Sequence, residues 1–484
     1  MSKPSTKSST PVSAAVKPPD YADSPVHYAV ATGDHATLKK IVSSLPKLGD
    51  ANNINTESES IAEERLAEQI SGVLDRRDNP LKETPLHLAV RLNDVTSARI
   101  IAAAGANVYL QNGAGWNPLQ EALLRRCKEI APILVHHRHI TTWSKGRRRL
   151  PRVVAALRRM RDFYMEISFN FESSIVPFIG KIAPSDTYRI WKRAGNLRAD
   201  TTLAGFDGLN FKRRNQSFLF LNDMDQADTN DVEVPQGSLL IVKHDKKEVH
   251  IAELKKGGAP MSESMIEKDC NRTSVCRPGI DVSKAELVTC KNWRRQDRTE
   301  HVGKWKARVY EMQNVVITFR ECKLQAAAEP PPTAQQQPKA PEEEFKKSLR
   351  PMLWLTEQFP LSTEELHRLL DILSKKLKAV ERMREVLQTT FPPGTFPVKI
   401  SVPVVPTVRV VITFTKFVEL QPVEDDFHTP PSSPRQSDGE YESNSGGGEE
   451  VDPFVIPSGY TWIRSSSSTK SGKEESSRSS NKKR

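Results

Sequence analysis

Apolar and polar positions change rhythm several times along the chain. Between residues 21 and 140, apolar residues recur at helical spacing behind a repeated punctuation: Ser24-Pro25-Val26-His27-Tyr28-Ala29, Thr84-Pro85-Leu86-His87-Leu88-Ala89 and Asn117-Pro118-Leu119-Gln120-Glu121-Ala122. Ser, Thr and Asn offer an oxygen to the orphan amides of a helix start, and proline at the first helical position gives up an N–H that would have no partner. Residues 141–161 form a helix-compatible stretch with a strongly basic face. From Asp162 to Leu221 the pattern becomes aromatic and partly alternating, which predicts strands, and further strands are expected at Phe218–Leu221, Ser238–Val242, Glu248–Leu254, Val309–Phe319 and Val408–Leu420. Residues 325–344, rich in Ala, Pro, Gln and Glu, read as a linker. Ser362 and Glu365 make a capping box ahead of an amphipathic helix through Leu366, Leu369, Leu370, Leu373 and Leu377. A valine-rich run from Phe396 to Phe417 reads as two strands broken near Pro403 and Pro406. Residues 1–20 and 421–484 are dominated by Ser, Pro, Gly, Glu and Lys and are expected to lack fixed structure.

The second and third prolines of the punctuation are 33 residues apart, the period of the ankyrin repeat, whereas the first precedes the second by 60. About three repeats are therefore expected over residues 21–140, with an insertion near 49–69 that reads as a loop with a short helix from Ile61. Ile100 to Ala104 ends a helix at Gly105, and Val108 to Gly113 should form a hairpin-like finger. Each repeat buries its apolar face only against its neighbours, so the stack needs a cap after Val135. The fold class expected is multidomain: an α-helical ankyrin stack, a basic helical junction at 141–161, an α+β domain over 162–420 interrupted at 325–344, and disordered termini.

Lys plus Arg number 71 and Asp plus Glu 60, a net charge of +11 that favours acidic partners without choosing among them. Clusters among the 34 prolines are expected to mark linkers. No run is long and apolar enough for a membrane span, and Met1 to Asp20 lacks the apolar core of a signal peptide. Five irregularly spaced cysteines, Cys127, Cys270, Cys276, Cys290 and Cys322, suit free thiols in a reducing compartment.

Several blocks then resemble a known family. Asp162-Phe163-Tyr164-Met165-Glu166, Pro184-Ser185-Asp186-Thr187-Tyr188-Arg189-Ile190-Trp191-Lys192-Arg193 and Leu197 to Phe206 are similar to ankyrin-repeat proteins carrying a GPCR-chaperone domain, the ankyrin repeat domain-containing 13-like family. Leu353-Trp354-Leu355, Phe359-Pro360-Leu361-Ser362 and Pro393 to Ile400 resemble that domain's distal blocks. The resemblance spans about Asp23 to Leu420, and Tyr188, Arg189, Trp191, Lys192 and Arg193 are its most specific part. It implies a non-enzymatic chaperone or adaptor that assists folding, retention or trafficking of membrane receptors. The implied location is cytoplasmic, peripheral to the endoplasmic reticulum or other endomembranes, and the implied partners are membrane-protein clients or trafficking proteins. Some members end in ubiquitin-interacting helices; Glu440 to Glu450 is broken by Ser443-Asn444-Ser445 and three glycines, which points to a plant-like member without them.

Among individual residues, Tyr109, Gln111, Asn112, Ala114 and Trp116 of the finger are expected near the concave surface on which ankyrin stacks bind partners. Trp116 also suits packing. His27 and His87 suit hydrogen bonding within the repeat. Arg147, Arg148, Arg149, Arg152, Arg158 and Arg159 make a basic face with three readings: a solvated face whose stems cover the ankyrin cap, a contact with anionic membrane, or nuclear targeting and nucleic-acid binding in a nuclear scaffold. Aromatic residues are not interleaved with these charges as in single-strand binders, which disfavours nucleic acid. His136, His137 and His139 point apart on a helix and lack further ligands at metal spacing. No cysteine has a marked His or Asp partner, and no Gly-rich loop follows a strand, so no catalytic residue, cofactor or small-molecule substrate is expected. Thr429 and Ser433 precede prolines and are phosphorylation candidates, and Asp452-Pro453-Phe454 resembles a short trafficking-adaptor motif.

Overall fold

The computed structural model describes residues 18–173, 175, 185–207, 210–222, 234, 237–252, 261–324, 342–366, 391–392, 394–405, 407–420 and 452–464. The three repeat motifs start the helices α1 (Pro25–Thr32), α4 (Pro85–Arg91) and α6 (Pro118–Leu124), each with proline in its first turn; their antiparallel partners are α2 (His35–Ser43), α5 (Val95–Ala103) and α7 (Ile130–Arg159). Gly33 closes α1 in the left-handed region, φ 70°, where a side chain would be strained.

Two expectations in this half need correction. The insertion holds an 18-residue helix, α3 (Glu57–Leu74), that begins four residues before Ile61. Thr56 Oγ1 accepts the Glu59 N–H at 3.2 Å, and the Glu59 carboxylate accepts the Thr56 N–H at 3.1 Å. The basic junction is not a separate element: α7 runs for 30 residues from the third repeat through the arginines, with Pro151 inside it. Packing of Val154 and Leu157 on one side and of α3 on another holds the helix together where proline removes a backbone donor.

The rest is β-rich. In chain order the strands are β1 (Phe163–Ser173), β2 (Asp186–Arg193), β3 (Asn196–Asp207), β4 (Asn210–Leu221), β5 (Ser238–Lys243), β6 (Glu248–Ala252), β7 (Ser274–Asp281) and β8 (Glu286–Thr289). They continue as β9 (Thr299–Val302), β10 (Trp305–Gln313), β11 (Val315–Lys323), β12 (Glu342–Leu349), β13 (Met352–Thr356), β14 (Phe396–Val405), β15 (Val408–Glu419) and β16 (Thr461–Arg464). One helix, α8 (Glu263–Cys270), precedes β7. A 13-stranded sheet has the order β16-β6-β5-β4-β3-β2-β1-β15-β14-β13-β10-β8, with β9 on β10; β12-β11-β7 form a second, three-stranded sheet. All pairs are antiparallel except β16 with β6.

The run Val309–Phe319, expected as one strand, is two strands in different sheets. Asn314 takes φ 60° between them, a left-handed kink that asparagine tolerates better than most residues. The linker expected to end at 344 gives way to β12 at Glu342. The capping box at Ser362 is present, with Glu365 N–H donating to Ser362 Oγ at 3.2 Å, and Leu366 is buried in the main core; residues 367–390 of the expected helix lie outside the described residues.

The main core is aromatic. Phe359 stacks on Phe396 with centroids 3.9 Å apart and meets Trp305, Phe414 and Phe417 at 4.9, 5.8 and 5.3 Å. Phe163, Met165 and Ile167 of β1 alternate into this core, joined by Val154, Leu157 and Met160 from the end of α7. The ankyrin core, in turn, takes in Val275 of β7 and Cys322 of β11. The two halves therefore share their packing instead of meeting through a linker.

The expected structureless tail differs over residues 452–464. β4 buries Phe218 and Phe220 in the main core, while Leu219 and Leu221 point to the opposite face of the sheet. There Phe454 and Ile456 cover Leu219, Leu221, Leu240, Val242, Val249 and Ile251, and β16 pairs with the β6 edge. A sheet apolar on both faces needs a cover on each, and this strap is the second one.

Candidate functional site

The ankyrin motif residues do structural work along the stack. His87 Nε2 donates to the Trp116 carbonyl at 2.9 Å, and its Nδ1 accepts from the Thr84 N–H at 3.2 Å. Burial pushes the His87 imidazole down to about 4. His27 behaves alike, with Nε2 3.0 Å from the Glu83 carbonyl and its pKa lowered by burial. Each histidine thus reaches the carbonyl just before the next repeat's cap. In the third repeat the same position is Gln120, and its Nε2 donates to the Cys276 carbonyl of β7 at 3.4 Å. The three-stranded sheet sits where a fourth repeat would begin.

The finger faces that sheet. Arg277 of β7 donates to Gln111 Oε1 at 3.1 Å and to the Ala114 carbonyl at 3.3 Å, and Arg320 of β11 reaches the same carbonyl at 2.7 Å while paired with Glu344. Gly115, φ 84°, allows the approach: a Cβ there would lie 1.4 Å from Arg277 Nη1. Asn112 is turned inward, donating to Glu121 Oε2 at 2.6 Å. Trp116 is only 7% exposed, which removes it from any partner-facing set and makes it a packing residue. Tyr109 is 49% exposed and donates to Thr142 Oγ1 at 2.6 Å. No hairpin strands form; the segment is a series of turns.

Two arginines of the basic face, Arg152 and Arg159, are engaged by α3. Arg159 is bidentate on Glu57 at 2.8 Å, Arg152 pairs with Glu64 at 3.2 Å, and Ser60 donates to the Arg148 carbonyl. Arg148 is 7% exposed and so leaves the docking set; Arg147 is half-buried, while Arg149 and Arg158 are exposed. The acidic insertion and the basic helix, 88 residues apart at Ser60 and Arg148, are partners in cis.

Lys192 is fully buried; its ammonium donates to the Met160 carbonyl, at the end of α7, and to Asp162 Oδ1 at 2.7 Å. The same carboxylate oxygen accepts the Ala194 N–H at 2.9 Å. This latch locks the long helix to β2. Tyr188 is half-buried, and Trp191 stacks near Tyr164 with centroids 5.0 Å apart. Arg193 lies 3.5 Å from Asp452 of the strap. Arg189 is exposed and lines an open cavity of about 550 Å³ with Ser168, Phe169, Asn170, Asp186, Thr202 and Arg213.

The strap is held by a residue that sequence reasoning passed over. Arg198 lies over Trp191 at 5.4 Å, is bidentate on Asp200 at 2.7 and 2.9 Å, and donates to the Pro453 carbonyl. His244 Nδ1 and Tyr460 Oη are 2.8 Å apart. Phe454, expected within an accessible trafficking motif, is 3% exposed, so the motif reading falls. Thr429 and Ser433 lie outside the described residues.

A family model described as ANKRD13 C-terminal matches residues 198–337 and 323–461, and an ankyrin-repeat model matches residues 82–113. The chain belongs to the ankyrin repeat domain-containing 13 family. The ANKRD13 C-terminal match runs through Phe454 and Ile456, so the strap is part of that region, whereas Tyr188 to Arg193 lie just before its first residue. Ankyrin repeat domain-containing protein 13B of Mus musculus is 29% identical over 404 residues, 69% of this chain and 62% of the relative. Protein 13C-B of Xenopus laevis is 27% identical over 386 residues, 69% and 72% of the two chains. The chain therefore spans about three fifths of the length of 13B. A solved LolA superfamily protein from Nitrosomonas europaea aligns over 58% of this ANKRD13 chain and 97% of its own at 9% identity, with a TM-score of 0.15, too low to speak to the fold. Among the described residues no helix is long and apolar enough to cross a membrane, and no group of three or more His, Cys, Asp or Glu side chains converges.

Proposed function

We propose that this protein is a non-enzymatic ankyrin-repeat adaptor that assists folding, retention or trafficking of membrane receptor proteins at the cytosolic face of the endoplasmic reticulum or other endomembranes. The observation that carries the reading is the outer apolar face of the large sheet, which the strap covers. A segment turns over the sheet there, seats two apolar anchors, Phe454 and Ile456, and then pairs in extended form with the β6 edge as β16. A sheet edge that gives main-chain hydrogen bonds, beside pockets that take alternate side chains, is a general means of holding an extended peptide. A cytosolic segment of a client with apolar residues two apart would compete with the strap for the same surface.

Proximity labelling in cells by the full chain should recover membrane proteins and endomembrane components, with recovery raised by Phe454→Asp, which uncovers that face. Recovery of nuclear proteins alone, with wholly nuclear fractionation, would overturn the reading in favour of a nuclear scaffold. That alternative draws on the arginines of α7, of which Arg152 and Arg159 are already paired within the chain.

A further inference from the structure

The hairpin joining β8 to β9 carries the most exposed large apolar side chain among the described residues: Trp293, 85% exposed. The turn that presents it is tightly tied. Asn292 N–H donates to the Gln296 carbonyl at 2.8 Å, and Asn292 Oδ1 accepts the Arg294 and Gln296 N–H groups at 2.9 and 3.0 Å. Its carbonyl accepts the Arg295 N–H at 3.0 Å, with Arg295 at φ 63°. At the base, Arg298 N–H donates to the Cys290 carbonyl at 2.7 Å, and Cys290 N–H to the Val309 carbonyl of β10 at 2.9 Å. The indole therefore stands on a fixed turn, with no core contact to explain it.

Its neighbours are cationic. Lys291, Arg294 and Arg295 are exposed, and the Arg294 guanidinium lies 4.4 Å from the indole centroid. Arg298 is tied to Glu300, and the acid of the turn, Asp297, lies 3.9 Å from Arg308. An indole suits the boundary between headgroups and acyl chains because its ring is apolar and its N–H can still donate, and cations beside it meet lipid phosphates and carboxylates. Stacking on a nucleic-acid base would use the same ring, but single-strand binders set several rings along a basic groove, and this tip carries one.

We propose that the β8–β9 hairpin is a membrane-interface contact that seats Trp293 among the headgroups of an anionic bilayer, with Lys291, Arg294 and Arg295 on the lipid charges. The proposal rests on the endomembrane reading for its setting, but is tested without any client. Purified full-length protein is sedimented with phosphatidylcholine vesicles made with and without phosphatidylserine, and its tryptophan emission is followed with brominated lipid in the bilayer. Binding to the serine-lipid vesicles with partial quenching is expected. Trp293→Ala should weaken binding about tenfold and remove the quenching. Arg294→Glu with Arg295→Glu should weaken it by at least about tenfold. Unchanged melting temperatures for both variants will show that the fold is retained. Equal binding by wild type and Trp293→Ala, or no binding, overturns the proposal. So does quenching of Trp293 by a single-stranded oligonucleotide with none by lipid. If the proposal fails while proximity labelling still recovers membrane proteins, the adaptor reading stands and membrane contact lies elsewhere on the chain.

Discussion

A buried imidazole that accepts a backbone N–H on one nitrogen and donates from the other has no room for a second proton, and His87 is held in this way between Thr84 and Trp116. The unfolded chain takes that proton near 6.5 and the folded chain resists it until about 4, so between these values the unfolded state binds more protons. Stability should be full above the upper value and fall as the pH drops through the window. Melting temperatures measured from neutral to acid pH should show this slope, and His87→Gln, the residue the third repeat uses, should flatten it while lowering the neutral value. Lys192 offers a second test. Replacing it by Met leaves the Asp162 carboxylate and the Met160 carbonyl without their buried cation, and urea unfolding should show a loss of about 3 kcal/mol. The repeat residues were legible because cap, proline and histidine each have a fixed place in a 33-residue period. Lys192 stood out only through family likeness, since a lysine in an alternating strand ordinarily reads as an exposed one.

At the scale of elements, composition over long windows misled more than local pattern did. Averaged over 421–484, Ser, Gly and Glu dominate, yet Phe454, Ile456, Tyr460, Trp462 and Ile463 form a short apolar island that makes the strap. The acidic insertion read as a loop with a short helix because α3 is polar on most sides; it is held by the Thr56 cap, by Ile70 and Leu74 in the ankyrin core, and by pairs with arginines far away in sequence. Strands β7, β8, β9, β12 and β13 were not expected, being short or broken by charge, and pairing across sequence supplies what local pattern lacks. The strap gives the test at this scale. Arg198→Ala removes the donor to the Pro453 carbonyl and the cation over Trp191; limited proteolysis should then cut within 452–464 faster than in the wild type while the melting temperature of the ankyrin helices is unchanged. Equal cutting would show that Phe454 and Ile456 suffice to hold it.

For the whole molecule, the third repeat meets β7 where it would meet another repeat, and the finger that would face an outside partner holds Arg277 and Arg320 instead. Arg277→Ala with Arg320→Ala should raise hydrogen exchange in residues 107–117 and 274–281 together, leaving α4 and α5 protected; exchange confined to one of the two segments would show that they are not coupled. The basic residues also acquire places: Arg152 and Arg159 are balanced by acids of α3, whereas Lys291, Arg294 and Arg295 stand exposed on the β8–β9 tip. The 30 residues of α7 span about 45 Å, rooted at one end in the ankyrin core and at the other in the sheet core, with Lys192 pinning the far end. Two partners held by the two halves would thus be kept at a set spacing, as on a rigid spar. Their mutual effective concentration would follow from geometry, high for partners whose sites match that spacing and negligible for those that do not, with no flexible tether to forgive a mismatch.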